Sequence, residues 1–298
     1  MIIRILLTTI LALASCCGFA MPAGAAAIKK PNVLIILADD MGFSDIGSYG
    51  AEIATPNLDR LADNGLRLTQ MHNTSKCFPS RAALLTGLYP QQCGMDRGPG
   101  KFTNGIFFGE VLRRAGYRTL FVGKHHGKDN PFDWGFDHYR GMRDGAANYF
   151  NPGLQRPGEP RPAQKRYGKR VFAFDDKIVQ PYTPPANYYS TDAWTDWALE
   201  LLEDGRDSDQ PFCLYVSYQA PHDPLQAHQH DIAKYTGRYE VGYEAIAEAR
   251  YQRQRAMGLL DERYPRSQPV HRAWDALSDE EQADQVRRMQ VYAAMIDS

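Results

Sequence analysis

Asn32 to Ala38 (NVLIILA) is an unbroken apolar run that closes on Asp39 and Asp40. A run of this kind, with no alternation, predicts a strand covered on both faces, as in a parallel sheet flanked by helices. Downstream, Thr55-Pro56 reads as cap and first position of a helix with Leu58 and Leu61 on its apolar face and Gly65 at its end. Arg81 to Leu85 and Ile106 to Ala115 read as two more helices, the second stopped by Gly116. Tyr117 to Val122 is a strand that runs straight into Gly123-Lys124-His125-His126. From about Asn148 to Pro185 helical periodicity fades and Pro, Arg, Lys and Tyr accumulate. That predicts a surface excursion with short strands, of the kind that forms a substrate mouth. Thr191 to Glu203 regains helical spacing, with Trp194, Trp197, Ala198 and Leu201 on one core stripe. Phe212 to Tyr218 is a strand and Gln219-Ala220-Pro221-His222-Asp223-Pro224 the loop after it; Ser278 caps a last helix through Met289 and Tyr292.

This succession predicts an α/β fold, a mostly parallel central sheet with helices on both faces. Asp39-Asp40, Lys124 to His126 and His222 each follow directly on a predicted strand. Open α/β sheets assemble their sites at the carboxyl ends of strands. The three segments therefore belong to one site, a conclusion that rests on pattern alone.

The chain has 298 residues, 34 basic against 35 acidic, for a net charge of −1. That length suits one large domain or two ordinary ones. With no net positive charge and no outstanding basic block, nucleic acid is excluded as a partner. Residues 1–27 begin with a positive Arg4, continue apolar and end in small residues, which is the pattern of a secretory signal. Ala23-Gly24-Ala25 offers an ordinary cleavage site, and Leu13-Ala14-Ser15-Cys16 resembles a bacterial lipobox. Both exits predict an exported protein, periplasmic or secreted, held at a membrane only if lipidated at Cys16. Past the signal three cysteines remain, Cys77, Cys93 and Cys213. An odd number in an exported chain leaves at least one unpaired; whether Cys93 and Cys213 pair is open.

Two adjacent carboxylates at a strand end repel each other unless a cation sits between them, and hard oxygen donors suit Ca²⁺ or Mg²⁺. Turn chemistry is the alternative for Asp39-Asp40. The segment SKCFPSRAALLTG carries more information, with Cys77, Pro79, Ser80 and Arg81 at fixed spacing, then an alanine, two leucines and Thr-Gly. It resembles the signature of the formylglycine-dependent sulfatases of the alkaline phosphatase superfamily, as PNVLIILADDMGFSDIG resembles their first strand and metal loop.

The resemblance implies a sulfatase of the arylsulfatase type, with residues 28–298 forming the N-terminal part of its catalytic domain. It implies that Cys77 is converted to formylglycine by a formylglycine-generating enzyme, and that Asp39, Asp40 and the modified Cys77 ligate Ca²⁺ or Mg²⁺. One hydroxyl of the aldehyde hydrate would attack sulfur, and loss of the second hydroxyl's proton would expel sulfate. Arg81 would orient that hydrate, Lys124 would offset charge on the ester oxygens, His126 would assist the second deprotonation, and His222 would protonate the leaving group. The family's usual G-K-W-H reads Gly123-Lys124-His125-His126 here, and His125 is taken as non-catalytic. The family continues beyond a helix like Val291 to Asp297 into a strand with an Asp-Asn pair and a further lysine. This predicts a fragment that folds poorly, leaves one side of its sheet uncovered and has low activity. The expected substrate is an aryl or carbohydrate sulfate ester. A phosphonate or phosphate ester hydrolase of the same superfamily and a non-catalytic exported binding protein are the competing readings.

Overall fold

The computed structural model describes residues 29–163, 165–261 and 263–298. The predicted signal segment and Cys16 fall outside the described residues. The chain divides into two units, 1–32 and 33–298. Of the first, residues 29–32 are described, exposed and without regular structure.

In the second unit, β1 (Val33–Asp39) leads to α1 (Pro56–Asp63), α2 (Cys77–Thr86) and α3 (Phe108–Arg114). Then come β2 (Arg118–Gly123), β3 (His138–Met142), the short strands β4 (Phe172–Phe174) and β5 (Lys177–Val179), and α4 (Ser190–Glu203). β6 (Phe212–Pro221), α5 (Gln229–Ala233), α6 (Tyr243–Ala256) and α7 (Asp279–Asp297) complete it. The sheet order is β1-β6-β2-β3-β4-β5. The first four strands are mutually parallel, and β4 and β5 join antiparallel. The predicted mixed α/β sheet is thus observed, and the excursion after Asn148 supplies its antiparallel edge.

Each sheet face carries its own core. On one, Phe78, Ala82 and Leu85 of α2 pack with Phe121, Tyr139 and Tyr215. On the other, Trp194, Ala198 and Leu201 of α4 meet Leu120, Val122, Leu214 and Val216, as the tryptophan stripe predicts. α7 adds Val291, Ala294 and Met295 to a third cluster with Tyr149, Tyr189 and Ile232. Its start is a reciprocal capping box: Glu281 N–H donates to Ser278 Oγ, and Ser278 N–H donates to the Glu281 carboxylate.

Three expectations are corrected. Among the described residues β1 is an edge strand covered on one face only: Ile35 and Leu37 pack inward, while Leu34 and Ile36 are 57 % and 52 % exposed. Apolar continuity reports what a strand can bury and not whether a neighbour is present. The α1 face built on Leu58 and Leu61 is not a core face, since no residue of that helix is buried and Leu61 is 67 % exposed. Thr55 does not cap α1 through its hydroxyl, which accepts from Gly47 N–H and pairs with Asp59. β3, α5 and α6 were not foreseen; α6 is too evenly charged to show a clean apolar stripe.

Candidate active site

Because β1, β6 and β2 lie side by side and parallel, their carboxyl ends bring Asp39, His222 and Lys124 together. Lys124 and Asp39 are both buried, and the Lys124 ammonium donates to one oxygen of the Asp39 carboxylate. The other oxygen lies 3.3 Å from the Arg81 guanidinium. Arg81, from α2, also donates to the Lys124 carbonyl at 2.9 Å and to Ser217 Oγ. Ser217 Oγ in turn donates to the same carbonyl at 2.7 Å. Burial is the largest influence on Asp39 and opposes its charge, but Lys124 and Arg81 outweigh it and hold the carboxyl below its ordinary range. Lys124 itself is drawn below the usual lysine range by burial and by the charge of Arg81, against the pull of Asp39.

The backbone turns sharply where the site forms. Gly123 has φ +106°, and a Cβ there would lie 2.2 Å from the Ser217 carbonyl, so only glycine lets β2 end beside β6. Asp40 and His126 both have φ +62°, a left-handed conformation uncommon for residues with side chains and often found at functional sites.

Cys77 is the first residue of α2 and is partly buried. The helix therefore begins before Pro79, correcting the predicted start; Pro79 sits in the first turn, where its missing N–H has no intrahelical partner to lose. Burial acts to raise the thiol's pKa, yet hydrogen bonds with His126 and His222 and the charge of Lys124 bring it down to about 5. Burial holds the His126 imidazole below its ordinary value. The bond to Cys77 raises that of His222. His222 Nδ1 lies 2.5 Å from the Asp223 carbonyl, which can only accept, so Nδ1 carries the proton. Nε2 lies 3.5 Å from Asp40 Oδ2.

The structure thus gathers Cys77, Arg81, Lys124, His126, His222, Asp39 and Asp40. His125 is buried in an aromatic box, its ring 6.0 Å from Phe102 and Phe107 and 6.1 Å from Phe121. Cys93 and Cys213 are buried and free. Two contributors were missed. Ser217 was lost inside an apolar strand, where a hydroxyl among Leu, Tyr and Val was the available signal. Asp45 accepts from Tyr292 at 2.7 Å and pairs with Arg250 at 2.5 Å, contacts spanning over two hundred positions that no local pattern reports.

The donors do not fit a closed cation site. Both Asp39 oxygens are engaged by Lys124 and Arg81. Among the described residues no group of three or more His, Cys, Asp or Glu side chains is placed to hold a metal ion. Asp39, Asp40 and Cys77 come together without forming a cage.

The sulfatase family model matches residues 31–297. This chain belongs to the sulfatase family. It is 34 % identical over 295 residues to an arylsulfatase of Klebsiella aerogenes, an alignment covering 92 % of this chain and 61 % of that one. Among solved structures, BT4656, captured with its substrate D-glucosamine-2-N,6-O-disulfate, superposes with a TM-score of 0.56 at 27 % identity, over 70 % of this chain and 38 % of its own. Ps i-CgsB in complex with k-i-k-neocarrahexaose gives 0.54 at 29 % identity, over 77 % and 54 %. This sulfatase chain therefore spans less than two thirds of the length of each.

Proposed function

We propose that this chain carries the nucleophile-bearing part of an exported hydrolase of sulfate monoesters. The observation that supports this best is the Cys77 thiol, held at a helix N-terminus between His126 and His222 and beside Lys124. A nucleophile in that position has a proton acceptor and a proton donor on either side and positive charge where a sulfate ester would sit.

The sulfur–oxygen charge of the ester faces Lys124 and the first turn of α2, whose free N–H groups favour an anion. Arg81 acts through its bonds to Asp39, Ser217 and the Lys124 carbonyl, fixing the lysine's position. His126 is kept neutral by burial and accepts the proton of the attacking group. His222, whose bond to Cys77 favours its protonated form, delivers a proton to the departing alcohol. Formylglycine at position 77 fits this setting, since an oxygen there meets the same two histidines, and it would supply a gem-diol nucleophile that sheds sulfate by returning to the aldehyde. A divalent cation does not fit the donors described, and no step is assigned to one.

The named neighbours support a carbohydrate sulfate as substrate: one was captured with D-glucosamine-2-N,6-O-disulfate and another with k-i-k-neocarrahexaose. The deciding experiment is peptide mass mapping of the Cys77 segment in protein recovered from its native compartment, with turnover of matched aryl sulfate and aryl phosphate esters. An aldehyde or hydrate at Cys77 with faster sulfate turnover is the expected result. Unmodified Cys77 with no turnover of either ester would leave a binding protein.

A further inference from the structure

The carboxyl ends of β1, β6 and β2 carry Asp39, His222 and Lys124; the fourth parallel strand, β3, ends at Met142 and is followed by Arg143. This short turn packs on the site. Gly127 N–H donates to the Arg143 carbonyl at 3.1 Å, and His125 N–H donates to the Met142 carbonyl at 2.9 Å. A Cβ on Gly145 would lie 2.5 Å from His126 Nε2, so the loop lies directly against the histidine that bonds Cys77.

The Arg143 guanidinium has no ion pair and no hydrogen-bond acceptor among the described residues, and its Nε is buried without a partner. The neighbouring arginines differ in this respect. Arg140 pairs with Glu200 at 2.6 Å, Arg166 with Asp144 at 2.6 Å, and Arg156 with Glu159 at 3.1 Å. A half-buried cation without a counter-ion is costly to hold, and a planar guanidinium is suited to a bidentate oxyanion.

The surroundings add charge of the same sign. Residues 156–170 hold Arg156, Arg161, Lys165, Arg166, Lys169 and Arg170 against the single acid Glu159, whereas the rest of the chain is net acidic. Asp144, beside Arg143, is taken up by Arg166, by Arg170 at 3.9 Å and by the Val171 N–H at 2.6 Å. It is therefore not available to neutralise Arg143.

We propose that Arg143, backed by this basic segment, is a second anion subsite, and that the substrate is a sulfate ester bearing a further anionic group close to the scissile one. Resting on the sulfate-ester reading above, this narrows the substrate class to disulfated or carboxylated sugars. Adjacent strands are about 4.8 Å apart, so the ends of β2 and β3 are spaced like two substituents on one sugar ring.

The test is calorimetric titration of the full chain with glucosamine 6-O-sulfate and with the same sugar carrying a second, N-linked sulfate. The disulfated sugar should bind at least about tenfold tighter. That ratio should fall close to one in Arg143→Gln and be partly kept in Arg143→Lys. Lys165→Glu/Lys169→Glu, which alters only exposed loop charge, should lower the ratio and flatten its loss with salt, and it serves if Arg143→Gln does not fold. An equal affinity for the two sugars, no measurable binding of the disulfated one, or a ratio that survives Arg143→Gln would each overturn the inference. Unconverted Cys77 with an intact preference would instead sink the hydrolytic reading and leave this subsite standing.

Discussion

Replacing His125 by phenylalanine should make the protein less sensitive to acid. His125 is fully buried, and neither ring nitrogen has a hydrogen-bond partner among the described residues. Burial, with the charges of Arg143, Arg81 and His126, lowers its pKa to about 3, against about 6.5 in an unfolded chain. Below pH 6.5 the unfolded chain therefore takes up a proton that the folded protein refuses, and stability falls as pH drops through that window towards 3. The slope is about 1.4 kcal/mol per pH unit. From pH 7 to pH 5 this histidine alone should remove about 2 kcal/mol, and about 4 kcal/mol by pH 3. Phenylalanine keeps the ring among Phe102, Phe107 and Phe121, leaves no nitrogen unpaired and takes up no proton. Urea unfolding followed by tryptophan fluorescence at both pH values gives the quantity directly. The stability of His125→Phe relative to the parent should rise by about 2 kcal/mol on going from pH 7 to pH 5. A difference that does not change with pH would show that His125 is protonated or hydrogen-bonded in the folded state, and would refute the argument.

Lys124→Met leaves Asp39 buried against Arg81 alone and should cost about 3–5 kcal/mol in chemical denaturation; a loss below about 1 kcal/mol would mean the pair is solvated. Gly123→Ala forces a side chain into left-handed backbone and against the Ser217 carbonyl. It should lower the melting temperature more than Gly87→Ala, whose Cβ meets nothing within 4 Å although its φ is also positive. Because Asp39 is compensated by Lys124 and Arg81, millimolar Ca²⁺, Mg²⁺ or EDTA should shift the melting temperature of this chain by no more than about 2 °C; a large calcium-dependent rise would show a cation site that these residues do not form. Arg250→Met removes the contacts to Asp45 and Glu52 that tie α6 to the loop after β1, and proteolysis between residues 257 and 272 should accelerate. Unchanged cleavage would place the anchoring of α6 elsewhere.

The strand-end logic was legible because it needs few signals. Apolar runs located β1, β2 and β6, and polar residues just after them located Asp39, Lys124 and His222. The pairing within the site was less legible. That Asp39 faces Lys124 follows from β6 lying between β1 and β2, a topological fact with no trace in either local sequence. β3 was missed because His138-Tyr139-Arg140-Gly141-Met142 alternates around charge and glycine and does not form an apolar run. Arg143 was passed over with it. The apolar leucines of α1 misled in the opposite direction, since hydrophobicity marks a capacity for burial that this fold does not use there.

The open side of β1 affects how the molecule would behave in a tube. Among the described residues, the seven of β1, VLIILAD, present backbone groups along one edge that no other strand pairs, with no proline and a single charge, buried at the far end. A strand of that kind is a template for adding another strand. Purification yield and shelf life should therefore fall steeply with protein concentration, through the onset of ordered association in which the folded core is intact. A lysine in place of Ile36, which is exposed, would act as a gatekeeper there without touching the nucleophile.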